Sequence, residues 1–139
     1  MSRSGYSDDV DGWQLIRWRG AVTSAIRGKR GQSFFRELLA ALDALPEKRL
    51  IDIDLERDGE VCAIGAVGRA RGLDMTEIDP EDHEAVADAF GLPHALACEI
   101  MYVNDDDGWH RHDTPEERYA RVREWVAGQL KKLAEAGKE

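Results

Sequence analysis

Apolar residues recur at helical spacing most clearly over residues 32–45. There Phe34, Phe35, Leu38, Leu39, Leu42 and Leu45 fall at i, i+3, i+4 and i+7 while Arg36, Glu37 and Asp43 lie off the stripe. Ser33 is placed to cap this helix, and Pro46 ends it because the residue before a proline is driven out of helical geometry. A second long helix is predicted from Thr114 to about Ala134. Thr114, Pro115 and Glu117 form the sequence of a capping box, and Tyr119, Val122, Val126 and Leu130 make one stripe with Trp125 and Leu133 beside it. Between these lie two shorter helices. Residues 80–90 follow a capping Asp79 and a first-turn Pro80, bury Val86, Ala89 and Phe90, and end at Gly91; residues 93–103 bury Leu96, Ile100 and Met101.

The rest of the pattern is less uniform. Residues 13–19 and 21–26 lean helical, with Trp13, Ile16 and Trp18 directed to the core, until glycines at 28 and 31 interrupt them. Residues 49–55 alternate, with Ile51, Ile53 and Leu55 on one side and Asp52 and Asp54 on the other, which predicts a half-buried strand. Asp58-Gly59 is a strong turn signal. After it, residues 60–71 read either as a returning strand or as a helix capped by Asp58. Ala63, Ala66 and Ala70, with Gly65 and Gly68, favour a closely packed helix. The expected fold is therefore mainly α, with an α+β alternative: a compact helical domain over residues 13–136 with a short strand or β-hairpin near residues 49–67, preceded by a loose arm over residues 1–12.

Composition narrows the function classes. The chain has 139 residues, enough for one hydrophobic core, and a net charge of −9, which opposes a general attraction to nucleic acid or anionic lipid. The start of the chain has no apolar signal segment and no stretch is long enough to span a membrane, so a cytoplasmic protein is expected. Cys62 and Cys98 stand among apolar neighbours and read as reduced core thiols.

Charge is also unevenly placed. Residues 73–107 contain eleven acids (Asp74, Glu77, Asp79, Glu81, Asp82, Glu84, Asp88, Glu99, Asp105, Asp106 and Asp107) and no Lys or Arg. The front of the chain is basic, with Arg27, Lys29 and Arg30 as its centre. Glu81, Asp82, Glu84, Asp88, Glu99, Asp105, Asp106 and Asp107 are expected to form an acidic face for a partner with a basic surface. The plainer reading is a solvated face, or one that meets the chain's own basic front or a second copy in a homodimer.

Other chemistry is poorly supported. Residues 104–108 suggest a calcium loop, but the ligand register fails, and His110 and His112 do not make a zinc motif; no metal and no cofactor are expected. Sequence motifs for nucleophilic, phosphate-binding or metalloprotease chemistry are absent, so a catalytic residue cannot be named and an enzyme would need a site assembled only in the fold. Ala87, Gly91 and Ile100 have the spacing of a helix-turn-helix, but its reading helix would carry Glu99 and no base. A small DNA-binding regulator using that pair and the basic patch is the alternative.

The runs IRGKRGQSFFRELLAALDALPEKRL, DGEVCAIGAVGRARG, DPEDHEAVADAFGLPHALACEIMYVND and TPEERYARVREWV together resemble a group of small uncharacterised proteins of bacteriophages and prophages, over residues 18–127. The resemblance implies a bacterial host cytoplasm and no particular activity or site residue. With the acidic face, it suggests a non-catalytic binding protein that inhibits a host defence system such as CRISPR interference, acting on a nucleic-acid-binding host protein.

Overall fold

A computed structural model describes residues 12–105 and 113–136. The expected arm at residues 1–11, the turn residues Asp106 to His112, and the side chains of Trp13 and Leu133 lie outside the described residues. Six helices and one small hairpin are present among those described: α1 (Gly12–Arg27), α2 (Lys29–Ala44), β1 (Glu56–Arg57), β2 (Glu60–Val61), α3 (Ala63–Arg71), α4 (His83–Phe90), α5 (His94–Asp105) and α6 (Pro115–Ala136). The mainly helical fold with a hairpin near residues 49–67 is thus the observed one. No described helix is long and apolar enough to cross a membrane.

Local signals account for most helix ends. Leu45, before Pro46, has ψ 132 and stops α2. Thr114 and Glu117 complete the reciprocal capping box of α6: the Glu117 N–H donates to Thr114 Oγ1 at 3.2 Å, and the Thr114 N–H donates to Glu117 Oε1 at 3.0 Å. Three starts differ from expectation. The break between α1 and α2 is confined to Gly28, and the helix resumes at Lys29 rather than at a Ser33 cap. Gly31 lies inside α2 because a Cβ there would fall on the carbonyl oxygen of Ala25 in α1. Helix α3 is capped by Cys62, whose Sγ accepts from the Gly65 N–H at 3.4 Å, not by Asp58. Helix α4 begins at His83 with Asp82 as its cap, because the Asp79 carboxylate is used instead to accept from the Glu81 N–H at 2.9 Å.

The predicted strand over residues 49–55 does not form. Leu50, Ile51 and Leu55 are buried, but Ile53 has φ 70 and is 52% exposed, so the alternation breaks at its centre. The hairpin lies just beyond: Glu56 pairs with Val61 and Arg57 with Glu60, around Asp58 and Gly59, both at positive φ as a tight hairpin turn requires. Residues 50–55 find most of their backbone partners elsewhere. The Ile51 N–H donates to Val61 O, and the Leu50 N–H donates to Pro115 O. Asn104 Nδ2 donates to Ile51 O at 2.9 Å, Asn104 Oδ1 accepts from the Ala63 N–H at 3.0 Å, and Arg118 donates to Leu50 O at 3.0 Å.

Helix α5 is the centre of the packing. It contacts α1, α3, α4 and α6, and from Leu96 to its end every residue but Tyr102 is buried. Helix α2 packs between α3 and α6, where Phe35 meets Trp125 edge-on at 5.4 Å and Tyr119 donates to Leu42 O at 2.8 Å. Ile16, expected in the core, is 63% exposed, and Ala89 is exposed as well.

Because Asn104 satisfies two buried backbone groups of different segments, Asn104→Ala should cost about 2–4 kcal/mol of unfolding free energy in urea titration. Thr114→Ala removes an exposed cap and should cost about 1 kcal/mol. Equal losses for the two variants would mean that Asn104 does not hold residues 50–63 together.

Candidate functional site

The acidic stretch divides into two parts. Asp74, Glu77, Asp79, Glu81, Asp82, Glu84 and Asp88 are exposed on α4 and the segment leading into it, and none of them is ion-paired among the described residues. Three of these carboxylates shape the chain locally: Asp74 accepts from Thr76, Asp79 from Glu81, and Asp82 from Ala85. The hydroxyl and N–H of Thr76 hold the Asp74 carboxyl below the usual carboxylate range.

The other part is not a surface. Glu99 is only 5% exposed, and both its oxygens are gripped by the Arg19 guanidinium at 2.9 Å. It lies on the side of α5 that α1 covers, so the fold itself supplies its partner. Asp105 is also buried: its Oδ1 accepts from Asn104 Nδ2 at 2.7 Å and from the Ile53 N–H at 3.3 Å. Both were expected on the acidic face and neither is exposed on it, and Asp106 and Asp107 lie outside the described residues.

The basic patch of Arg27, Lys29 and Arg30 is exposed. Arg30 donates to Gly91 O at 2.7 Å and Arg71 donates to Phe90 O at 3.2 Å, so two cations meet the carbonyl end of α4 while the carboxylates other than Asp88 lie at or before its amino end. The separation of charge expected from the sequence is therefore incomplete. Helix α5, the reading element of the helix-turn-helix alternative, contacts four other helices and is buried from Leu96 to its end except at Tyr102.

Side chains from two helices meet beside this surface. His83 is the first residue of α4, His94 the first of α5, and Cys98 lies one turn further along α5. The α4–Gly91–α5 turn, with Gly91 at φ 71, folds the two helix starts together. The imidazoles lie tilted over each other with centroids 4.4 Å apart, His83 Nδ1 faces His94 Nε2, and Cys98 Sγ is 3.5 Å from that same nitrogen. Trp18 of α1 approaches His94 edge-on at 6.1 Å. One donor atom from each residue, a nitrogen from each histidine and the sulfur of Cys98, lies within 4.8 Å of the others.

The sequence predicts no metal ligands, and its candidate imidazoles, His110 and His112, lie outside the described residues. The legible signal was the i, i+4 spacing of His94 and Cys98; the part played by His83 depends on the turn at Gly91.

Cys98 is not a nucleophile at neutral pH. Burial first, and then the charges of Glu84 and Glu99, push its thiol up to about 12. Cys62 is likewise buried, and both cysteines are free. A cleft of about 340 Å³ beside the hairpin contains Arg49 and Arg69, but both are engaged by the chain itself: Arg49 by Glu60 at 3.1 Å and Glu116 at 3.3 Å, Arg69 by the carbonyl of Gly59.

In EDTA at neutral pH, neither thiol should react with a disulfide reagent until urea unfolds the chain. The folded state keeps the Cys98 proton up to about pH 12, whereas a free thiol releases it at 9.0. The stability this contributes is complete below pH 9.0 and lost as pH rises towards 12. Urea midpoints followed across that range should fall in the wild type and fall less in Cys98→Ala.

Comparison with protein-family models, with characterised proteins and with solved structures finds no match for this chain.

Proposed function

We propose that the protein is a non-catalytic binding protein whose exposed carboxylate ridge engages a basic macromolecular surface, in the first instance that of a protein. The ridge comprises Glu77, Asp79, Glu81, Asp82, Glu84 and Asp88. The observation that carries the reading is that these six neighbouring carboxylates are exposed together and make no ion pair among the described residues. Several acids elsewhere are held by the chain's own arginines: Glu37 pairs with Arg71, Asp43 with Arg123, Asp54 with Arg57, Glu99 with Arg19 and Asp113 with Arg121. Unpaired carboxylates gathered on one element steer a cationic partner and offer it hydrogen-bond acceptors.

The resemblance to phage proteins adds a setting: the bacterial host cytoplasm, with a nucleic-acid-binding defence protein, such as one of a CRISPR interference system, as the partner. Net charge and the enclosure of α5 both weigh against direct DNA binding.

Affinity capture from a bacterial lysate tests the reading. The wild-type chain should retain a basic partner that salt elutes. A variant with Glu81→Lys, Glu84→Lys and Asp88→Lys, which leaves the Asp82 cap intact, should bind that partner on the order of tenfold more weakly or worse. Equal retention by a variant whose circular dichroism is unchanged overturns the proposal.

A further inference from the structure

We propose that His83, His94 and Cys98 form a binding site for a divalent cation of the zinc class, which ties the first turn of α4 to the first turn of α5. The proposal does not rest on the acidic-surface reading, and it stands or falls on a different measurement.

The geometry around His94 Nε2 is the first support. Two groups are aimed at this one nitrogen: His83 Nδ1 and, at 3.5 Å, Cys98 Sγ. A neutral imidazole nitrogen offers one proton or one lone pair, so it satisfies one such neighbour and leaves the other without a matching partner. A cation placed between the three donors would take a lone pair from each and so satisfy all of them together.

Distances and donor chemistry agree. In a tetrahedral zinc site, with Zn–N about 2.0–2.1 Å and Zn–S about 2.3 Å, the donors stand roughly 3.3–3.6 Å from one another. The three donor atoms already lie within 4.8 Å of one another, and the His94–Cys98 separation of 3.5 Å is at the required value. Binding requires the two imidazole nitrogens to move apart, a small rotation of His94, whose ring is exposed. Two imidazoles and a thiolate suit zinc and its neighbours in the first transition row, and do not suit calcium or magnesium, which take oxygen ligands. On coordination the Cys98 S–H proton leaves to solvent and the sulfur lone pair forms the bond to the metal, with no change of oxidation state.

Charge and access complete the argument. Glu84 and Glu99 place negative charge beside the sulfur, and Arg19 neutralises that of Glu99. The thiolate and Glu84 together then balance a dication. Cys98 is buried, His83 half-buried and His94 exposed, so the fourth position opens outwards to water or to a ligand from a partner. Trp18 covers one side of His94 and limits its swing.

Titration of EDTA-stripped protein with Co²⁺ tests this. The wild type should take up a single ion per chain with a sulfur-to-cobalt charge-transfer band, and Zn²⁺ should displace the cobalt and raise the thermal midpoint. Cys98→Ser should abolish the band while Cys62→Ala keeps it. His94→Ala and His83→Gln should each weaken uptake at least tenfold, with circular dichroism showing that both variants remain folded. Absence of the band in the wild type, its survival in Cys98→Ser, or unaltered affinity in both histidine variants overturns the proposal.

Discussion

The fold depends on side chains of α5 and α6 standing in for a missing strand ladder. Residues 50–55 cross the protein in an irregular path with Leu50, Ile51 and Leu55 buried, and a buried backbone needs partners for its N–H and C=O groups. Asn104, Asp105 and Arg118 supply part of them, and Asn104 also holds the first N–H of α3. Three polar side chains therefore have to be buried at the C-terminal end of α5 and the start of α6. That requirement places α5 at the centre, with α1, α3, α4 and α6 around it.

The central position of α5 decides what the surface is. Glu99 faces α1 and is neutralised by Arg19, so it is part of the interior and not of any docking face. Glu99 is buried while Arg19 is half exposed, and two parallel hydrogen bonds join them, the arrangement in which an arginine compensates a carboxylate best. Of the described acids between Leu73 and Asp105, those that remain outside belong to α4 and its approach. This helix is short and lies at the edge, with its amino end in solvent and its carbonyl end covered by Arg30 and Arg71. Acids at the start and arginines at the end both suit the helix dipole, whereas Asp88, also part of the ridge, stands in the last turn and does not.

The turn at Gly91 joins these two roles. It joins the end of α4 to the start of α5, and across this angle the side chain of His83 reaches His94, which in turn meets Cys98. The cluster and the ridge share α4, and Glu84 belongs to the surroundings of each. The burial that makes Cys98 a poor nucleophile leaves it well placed as a donor in an enclosed corner with negative charge nearby.

Residue order alone determined the features that depend on near neighbours. The stripe of Phe34, Phe35, Leu38 and Leu42 made α2, Pro46 closed it, Thr114 and Glu117 opened α6, and Asp58-Gly59 turned the hairpin, because each acts within about one helical turn or one tight bend. The uneven spread of charge was legible for the same reason. What tertiary structure alone decided involves partners far along the chain. The alternation of Ile51, Ile53 and Leu55 is as compatible with a strand as with the observed path; Asn104 and Asp105, some fifty residues away, settled it by binding the backbone of Ile51 and Ile53. Glu99 looks like its acidic neighbours until Arg19 meets it across 80 positions. His83 and Cys98 acquire a common neighbour only when two helices fold together. A periodicity shows which residues share a face; it carries no information about what covers that face, and here the covering decides which charges and donors are free to act.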